Sequence, residues 1–265
     1  MHTHYAHRNL GQNFLIDKKI IEIIVKNIKP RKKDNFIELG SGYFSLTKEI
    51  LNYVDKITII EIDDKLNEFL IKKNLKKKIS LVEDDIKKIN FKNFGSNFKI
   101  FGNLPFNISK KVIFYLLNFK LEIVDQNFMI QKDVSNCIMA YPGTRNFSYF
   151  SVIVQSNYSI KVIIDKIFPK SFFPKPKVNS ALIKMVPINT DKIFRNDNLI
   201  NVTKKIFFNK RKNLLNILNI FYYCINLKIL NIYFFSRPED INVNNYIYIT
   251  NMICDVGLLK NLSLI

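Results

Sequence analysis

Two acids, a pair of glycines and one short neutral run carry the chemistry that can be read from this chain. Glu61 closes the apolar stretch "KITIIEID" (56–63), and Asp85 closes "KISLVEDD" (78–85). Both stretches are rich in β-branched residues, so both acids fall at strand ends. Upstream, "ELGSGYFSLT" (38–47) sets Gly40 and Gly42 between a strand and a helix. Glycines there let the backbone turn sharply and approach a ligand closely. Glu61 lies about twenty residues further on, where a carboxylate can accept both hydroxyls of a ribose. Asp85, at the next strand end, can accept from an adenine amine. No lysine-bearing phosphate loop is present, and the turn lacks the third glycine of a dinucleotide site. The set suits a nucleoside without a diphosphate. S-adenosylmethionine fits it better than NAD or ATP.

The neutral run is "FGNLPFNISK" (101–110). An adenine amine is a poor nucleophile because its lone pair is delocalised into the ring. Two acceptors for its hydrogens, the Asn103 side-chain carbonyl and the Leu104 backbone carbonyl, favour a more tetrahedral and more nucleophilic nitrogen. Pro105 removes a donor and stiffens the loop. Phe106 offers a face on which an extruded base stacks, worth about 1–3 kcal/mol per base. A sulfonium methyl is already a strong electrophile, so positioning carries most of the catalysis and no metal is required. The same run also reads as a plain turn, with Asn107 and Ser109 capping the helix "KKVIFYLL".

These residues need a scaffold that brings strand ends together. Strand signals at 35–42, where the run enters a glycine turn, and at 56–63, 78–85, 98–105 and 127–134 alternate with helical ones, and 150–166 reads as further strand material. That alternation predicts a parallel sheet covered on both faces. After "MVPINTDK" (185–192) the pattern turns helical and only Gly257 remains of the glycines. The expected organisation is an α/β domain over 1–188 and a small helical domain over 189–265.

The chain has 265 residues, 48% of them hydrophobic, with 23 phenylalanines, enough for a real core. Its formal charge is +19, from 41 basic and 22 acidic residues, which favours a polyanionic partner, nucleic acid before membrane. A/T-rich coding explains part of the lysine but not the failure of acids to rise in step. Cys137, Cys224 and Cys254 match no metal-ligand spacing and read as reduced structural thiols. His2, His4 and His7 sit in a terminal tail rather than a metal site. The apolar stretch 214–235 is interrupted by four asparagines and Lys228, which predicts buried helices rather than a membrane span.

Taken in order, "LGQNFLID" (10–17), "ELGSG", "IIEID", "VEDDI", "FGNLPFNIS", "MIQKDV" and "FFPKPKVNSA" (172–181) resemble the KsgA-type ribosomal RNA adenine dimethyltransferases. "FFNKRKNLLNIL" (207–218) and "RPEDINVNNY" (237–246) resemble that family's helical C-terminal domain. The resemblance implies a Rossmann-like S-adenosylmethionine-dependent methyltransferase domain followed by a small helical domain that docks on rRNA. It implies a cofactor pocket of Asn13, Leu15, Gly40, Glu61, Asp85 and Asn103. Asn103, Leu104, Pro105 and Phe106 would hold the target adenine, with Phe172 on its other face. Lys210, Arg211 and Lys212 would contact RNA.

The implied activity is dimethylation of adenine N6 in small-subunit rRNA within a pre-ribosomal particle, by a cytoplasmic monomer. Two rivals share the motifs: a large-subunit rRNA methyltransferase of the antibiotic-resistance type, and a non-catalytic RNA-binding assembly factor. "FNKRK" and "RPEDI" favour the small subunit, and intact acids with "NLPF" favour catalysis. DNA adenine methyltransferases usually carry Asp/Asn-Pro-Pro-Tyr at this loop. The chain departs from the family at Phe106, where tyrosine is usual, at Cys137 and Tyr149, where arginine is common, and at Ser148, where glycine is common.

Overall fold

The computed structural model describes residues 11–72, 78–188, 196–209, 211–217 and 236–255. The chain divides into two compact units, Met1–Ser135 with Ile160–Pro187, and Asn136–Ser159 with Ile188–Ile265. It therefore enters the second unit twice, and the last crossing falls between Pro187 and Ile188.

The first unit is built on a seven-stranded sheet. Its strands are β2 (Asn35–Leu39), β3 (Ile57–Ile60), β4 (Ile79–Val82), β5 (Phe98–Asn103), β6 (Ile123–Gln131), β7 (Tyr158–Ile167) and β9 (Ser180–Pro187). They lie in the order β4-β3-β2-β5-β6-β9-β7. The first five in that order pair in parallel, and β9 joins β6 antiparallel, with Gln126 opposite Met185. Strand order reverses between β2 and β5, so the loops after these two strands leave in opposite directions and open a crevice. In open α/β sheets that crevice is where ligands bind.

Helix α1 (Lys18–Ile28) has Asp17 as its N-cap, whose carboxylate accepts from the amides of Lys19 and Ile20. Its buried stripe, Ile21, Ile24, Val25 and Ile28, follows helical spacing. The stripe packs with Leu46 and Ile50 of α2 (Ser45–Ile50) and with Phe36, Ile57, Ile59 and Phe101 of the sheet. Burying each such side chain contributes about 1.5–3 kcal/mol. A two-residue strand β1 (Phe14–Leu15) pairs antiparallel with β8 (Phe172–Phe173), and the Ser171 hydroxyl donates to Asp17 at 2.8 Å. This ladder fixes the segment carrying Asn13 to the first unit. α3 (Asp64–Lys72) follows β3, and α4 (Ser109–Leu116) follows β5.

Residues 150–166 correct the reading from pattern alone. α6 (Tyr149–Asn157) is a helix, and strand begins only at Tyr158. A run that is buried all round carries no periodicity to separate helix from strand. Here Ser148 and Ser151 form a reciprocal cap that starts the helix.

In the second unit, α6 packs with α7 (Asn196–Phe208) and α9 (Val243–Asp255). Phe207 and Tyr246 stack at 5.6 Å, and the buried Tyr246 hydroxyl donates to the Pro238 carbonyl at 2.7 Å. The unit also includes the short helix α8 (Leu214–Ile217). α5 (Lys132–Ile138) carries the chain from β6 across the boundary between the units. The Cys254 sulfur accepts from the Asn198 side-chain amide at 3.1 Å. Among the described residues no helix is long and apolar enough to cross a membrane, and no acid, histidine or cysteine cluster could hold a metal. His2, His4, His7, Cys224, Lys210 and residues 218–235 lie outside the described residues.

Candidate active site

A cavity of about 170 Å³ opens at the carboxyl ends of β2, β3, β4 and β5. Asn13, Gly40, Glu61, Asp85 and the whole run from Asn103 to Phe106 line it. Residues scattered over more than ninety positions thus meet in one place because parallel strands end on the same edge.

The acid side is held by backbone. Glu61 is 6% exposed, and one carboxylate oxygen accepts from the amides of Ile62 at 3.1 Å and Asp63 at 3.2 Å. The other accepts from the Gly42 amide at 3.4 Å, across the glycine turn. Burial pushes the Glu61 carboxyl above its ordinary value, although these amides oppose the rise. Gly42 cannot be replaced: it sits at φ 53°, and a Cβ there would come within 2.6 Å of the Phe14 ring. Asp85 behaves differently. Burial alone would raise its carboxyl, but the backbone amide and ammonium of Lys87 hold it below the usual range. The Lys87 amide donates at 2.9 Å and its Nζ lies 3.1 Å from the carboxylate.

The neutral side is held by close packing. At Gly102 any Cβ would fall 2.5 Å from the Leu39 carbonyl oxygen, so only glycine lets β5 lie this close to β2. Gly102 therefore belongs to the sheet, and Asn103 to the site. Asn103 donates its side-chain amide to the Asn13 carbonyl at 2.5 Å. That bond fixes which end of the amide is the nitrogen and leaves the carbonyl end as an acceptor. The Leu104 amide is tied to the Met129 carbonyl at 3.0 Å, and the Pro105 carbonyl accepts from Ile108 and Ser109 at 3.1 Å, turning the chain into α4. Phe106 is half-buried on the cavity wall.

Two expected positions differ. Leu15 is buried in the core and borders a separate cavity of about 30 Å³, beside Glu38, Ser41 and Asn103. Phe172 is corrected: it is 1% exposed within the same core, because strand alternation turns it inward opposite Leu15. Its neighbour Phe173 is 63% exposed. Arg211 and Lys212 are exposed in the turn before α8.

The cavity also uses residues that pattern reading passed over. Gly11, Gln12, Asn107 and Lys87 line it. Gln12 donates to Asp63 at 2.7 Å, linking the N-terminal segment to the loop after β3. Each stands close to a residue already read: Lys87 two places after Asp85, Asn107 after Phe106, and Gly11 and Gln12 before Asn13.

The ribosomal RNA adenine dimethylase family matches residues 3–241. The chain belongs to that family. It is 36% identical over 258 residues to a ribosomal RNA small subunit methyltransferase A of Buchnera aphidicola, covering 95% of this chain and 98% of that one. It is 38% identical over 262 residues to the same-named protein of Wigglesworthia glossinidia brevipalpis, covering 94% and 97%. A dimethyladenosine transferase from Plasmodium falciparum superposes with a TM-score of 0.81 at 22% identity, covering 92% of this chain and 98% of that one. The 23S rRNA methyltransferase ErmE superposes at 0.69 and 18%, covering 91% and 100%. The fold is the Rossmann-like fold of S-adenosylmethionine-dependent methyltransferases, and the protein is a methyltransferase.

The donor set fits that family's cofactor. Two carboxylates on neighbouring strand ends face a glycine turn, and Lys87, the cation of the wall, is engaged by Asp85. Nothing in that arrangement asks for a diphosphate. Apart from Phe106, the departures expected from the resemblance gather in one place. The Cys137 sulfur lies 3.1 Å from the Ser148 hydroxyl, and the Ser151 hydroxyl donates to the Cys137 carbonyl at 2.6 Å. Where arginine and glycine are usual, this chain builds the N-cap of α6.

Proposed function

We propose that the protein uses S-adenosylmethionine to dimethylate adenine N6 in small-subunit rRNA, acting in the cytoplasm as a monomer on a pre-ribosomal particle. The observation that carries the reading is the Asn103 amide, whose nitrogen is anchored on the Asn13 carbonyl in the wall of the cavity it shares with Glu61 and Asp85. Glu61 would hold the ribose and Asp85 the adenine of the cofactor. Bound there, S-adenosylmethionine supplies an electrophilic sulfonium methyl.

The protein's own part is to bind and aim the amine. Asn103 Oδ1 and the Leu104 carbonyl would accept the two N–H hydrogens and favour a pyramidal nitrogen whose lone pair is withdrawn from conjugation with the ring, one amine proton passing to solvent as the methyl is accepted. Phe106 stacks the extruded base and excludes water from one face. After the first transfer the amine keeps one N–H, so one acceptor still orients it for the second. The helical unit, with Arg211 and Lys212 exposed, would dock on rRNA. The two small subunit methyltransferases named above support the choice of the small subunit.

Primer extension across small-subunit rRNA, from cells with and without the gene, tests the reading. Stops at dimethyladenines that vanish with the gene are expected. Gene-dependent stops in large-subunit rRNA alone would overturn it.

A further inference from the structure

A second concavity, of about 680 Å³, lies between α1 and α2 and shares no lining residue with the cofactor cavity. Lys18 and Lys26 border it from α1, Lys29 and Arg31 from the following turn, and Lys48 from α2. All five are exposed, and among the described residues none has an ion-pair partner. Glu22 and Glu49 also border the groove, so cations prevail by five to two. Buried Ile21 and Val25 form part of its floor, and Tyr53, 55% exposed, lines it as well.

The groove is an extended track rather than a point site. α1 has 11 residues, and at about 1.5 Å per residue it spans roughly 16 Å. One strand of a DNA duplex sets about 3.4 Å of axis per phosphate, so several phosphates fit along such a track. Lys29 is the C-cap of α1, at φ 51°. Five exposed cations that border one groove with apolar residues in its lining match a polyanion with repeated charges.

We propose that this groove is a second RNA-binding site, which holds the phosphodiester backbone of the substrate rRNA at a distance from the target adenine. The identity of that RNA rests on the function proposed above. Tyr53 offers a ring against which a base or ribose can lie.

The test uses the full-length protein carrying Lys26→Gln, Lys29→Gln and Arg31→Gln together. Binding to an unmethylated small-subunit particle is measured over a salt series, beside calorimetry with S-adenosylmethionine. Affinity near physiological salt should fall about tenfold or more, and the slope of log affinity against log salt should shrink by about 3. Cofactor affinity and the single-turnover rate at saturating enzyme should stay at wild-type values. Lys18→Gln with Lys48→Gln, on the other wall, should shrink the slope by about 2. A photo-crosslinker at Tyr53 should capture rRNA. Unchanged affinity and slope in both variants, or capture of a ribosomal protein without rRNA, would overturn the groove while leaving the methyltransferase intact. A wild type that methylates only large-subunit RNA would instead overturn the proposed function, and the same salt series on that RNA would still decide the groove.

Discussion

The two sides of the cofactor cavity are built by opposite means. On one side, charged groups are held by backbone: Glu61 accepts from three amides, and Asp85 is clasped by the amide and ammonium of Lys87. On the other side, every reacting group is neutral, and it is aimed by packing and one amide–carbonyl bond. A nucleoside is bound well by charge-assisted hydrogen bonds, which are strong in both the ground and transition states. An amine nitrogen that must become nucleophilic is better served by contacts that strengthen only as it reacts. The acid side should therefore govern affinity, and the neutral side rate.

The largest effect should come from Asn103→Ala. Losing a transition-state acceptor costs a few kcal/mol, so single-turnover transfer to an unmethylated small-subunit particle should fall by roughly 10²-fold or more. Cofactor affinity should drop only modestly, through the loss of the Asn13 contact. Near-normal transfer would erase the division of labour.

Glu61→Ala tests the other side. It should weaken S-adenosylmethionine binding by about 1.5–3 kcal/mol, the scale of a charged hydrogen bond, as read by calorimetry. A pH series sharpens the point. Only the ionised carboxylate can accept from both ribose hydroxyls, and burial raises the Glu61 pKa above 4.5. Affinity should be complete above that raised value and should fall as pH drops through it. The decline should begin at higher pH than for an ordinary glutamate, and Glu61→Gln should remove it. A wild-type affinity that stays flat down to the usual glutamate range would separate Glu61 from the cofactor.

These two sides were not equally legible in the sequence. Glu61 and Asp85 could be found because each terminates an apolar β-branched run, and parallel strands align their ends automatically. The glycine turn and Asn103 to Phe106 could be found because their residue types are out of place in a strand. Phe172 could not be placed, since a two-residue strand gives no periodicity to tell which of two adjacent phenylalanines faces inward. Gln12 reaches the loop after β3 through its bond to Asp63, a pairing that local pattern does not encode. The helix at 149–157 was hidden for a related reason: its residues are nearly all buried, and its start depends on a serine pair rather than on the apolar run.

A smaller effect separates binding from folding beneath the acid side. Glu38 is 1% exposed, hydrogen-bonded by Thr47, and pushed by burial up to about 8 from 4.5. Between those values the folded protein holds a proton that the unfolded chain has lost. Stability should therefore be highest at low pH with respect to this group and decline as pH rises through that window. Glu38→Gln keeps an acceptor for Thr47 and cannot ionise. At pH 9 it should be more stable than the wild type, and the difference should shrink steadily as pH is lowered through the window, most of it lost by pH 5. Denaturant melts at the two pH values would show it, and an equal gain at both would mean that packing rather than ionisation is responsible.

The smallest effect is expected at Phe106, where the comparison between the two sides is most exposed to error. If the ring acts only by stacking, its hydroxyl is dispensable, and this chain shows the family's usual tyrosine replaced by phenylalanine. Phe106→Tyr should then change single-turnover transfer by less than about threefold, since phenol and phenyl faces stack alike. Phe106→Ala should lose about 1–3 kcal/mol of base binding. It should do so while cofactor affinity remains at the wild-type value, because the cofactor contacts assigned here fall on Glu61 and Asp85. A large gain in rate for Phe106→Tyr would show that a hydroxyl contributes an additional acceptor or donor at the amine. In that case the neutral side of this protein would be working without a contact that its relatives use, and the rate effect of Asn103 would have to be measured again in the tyrosine background.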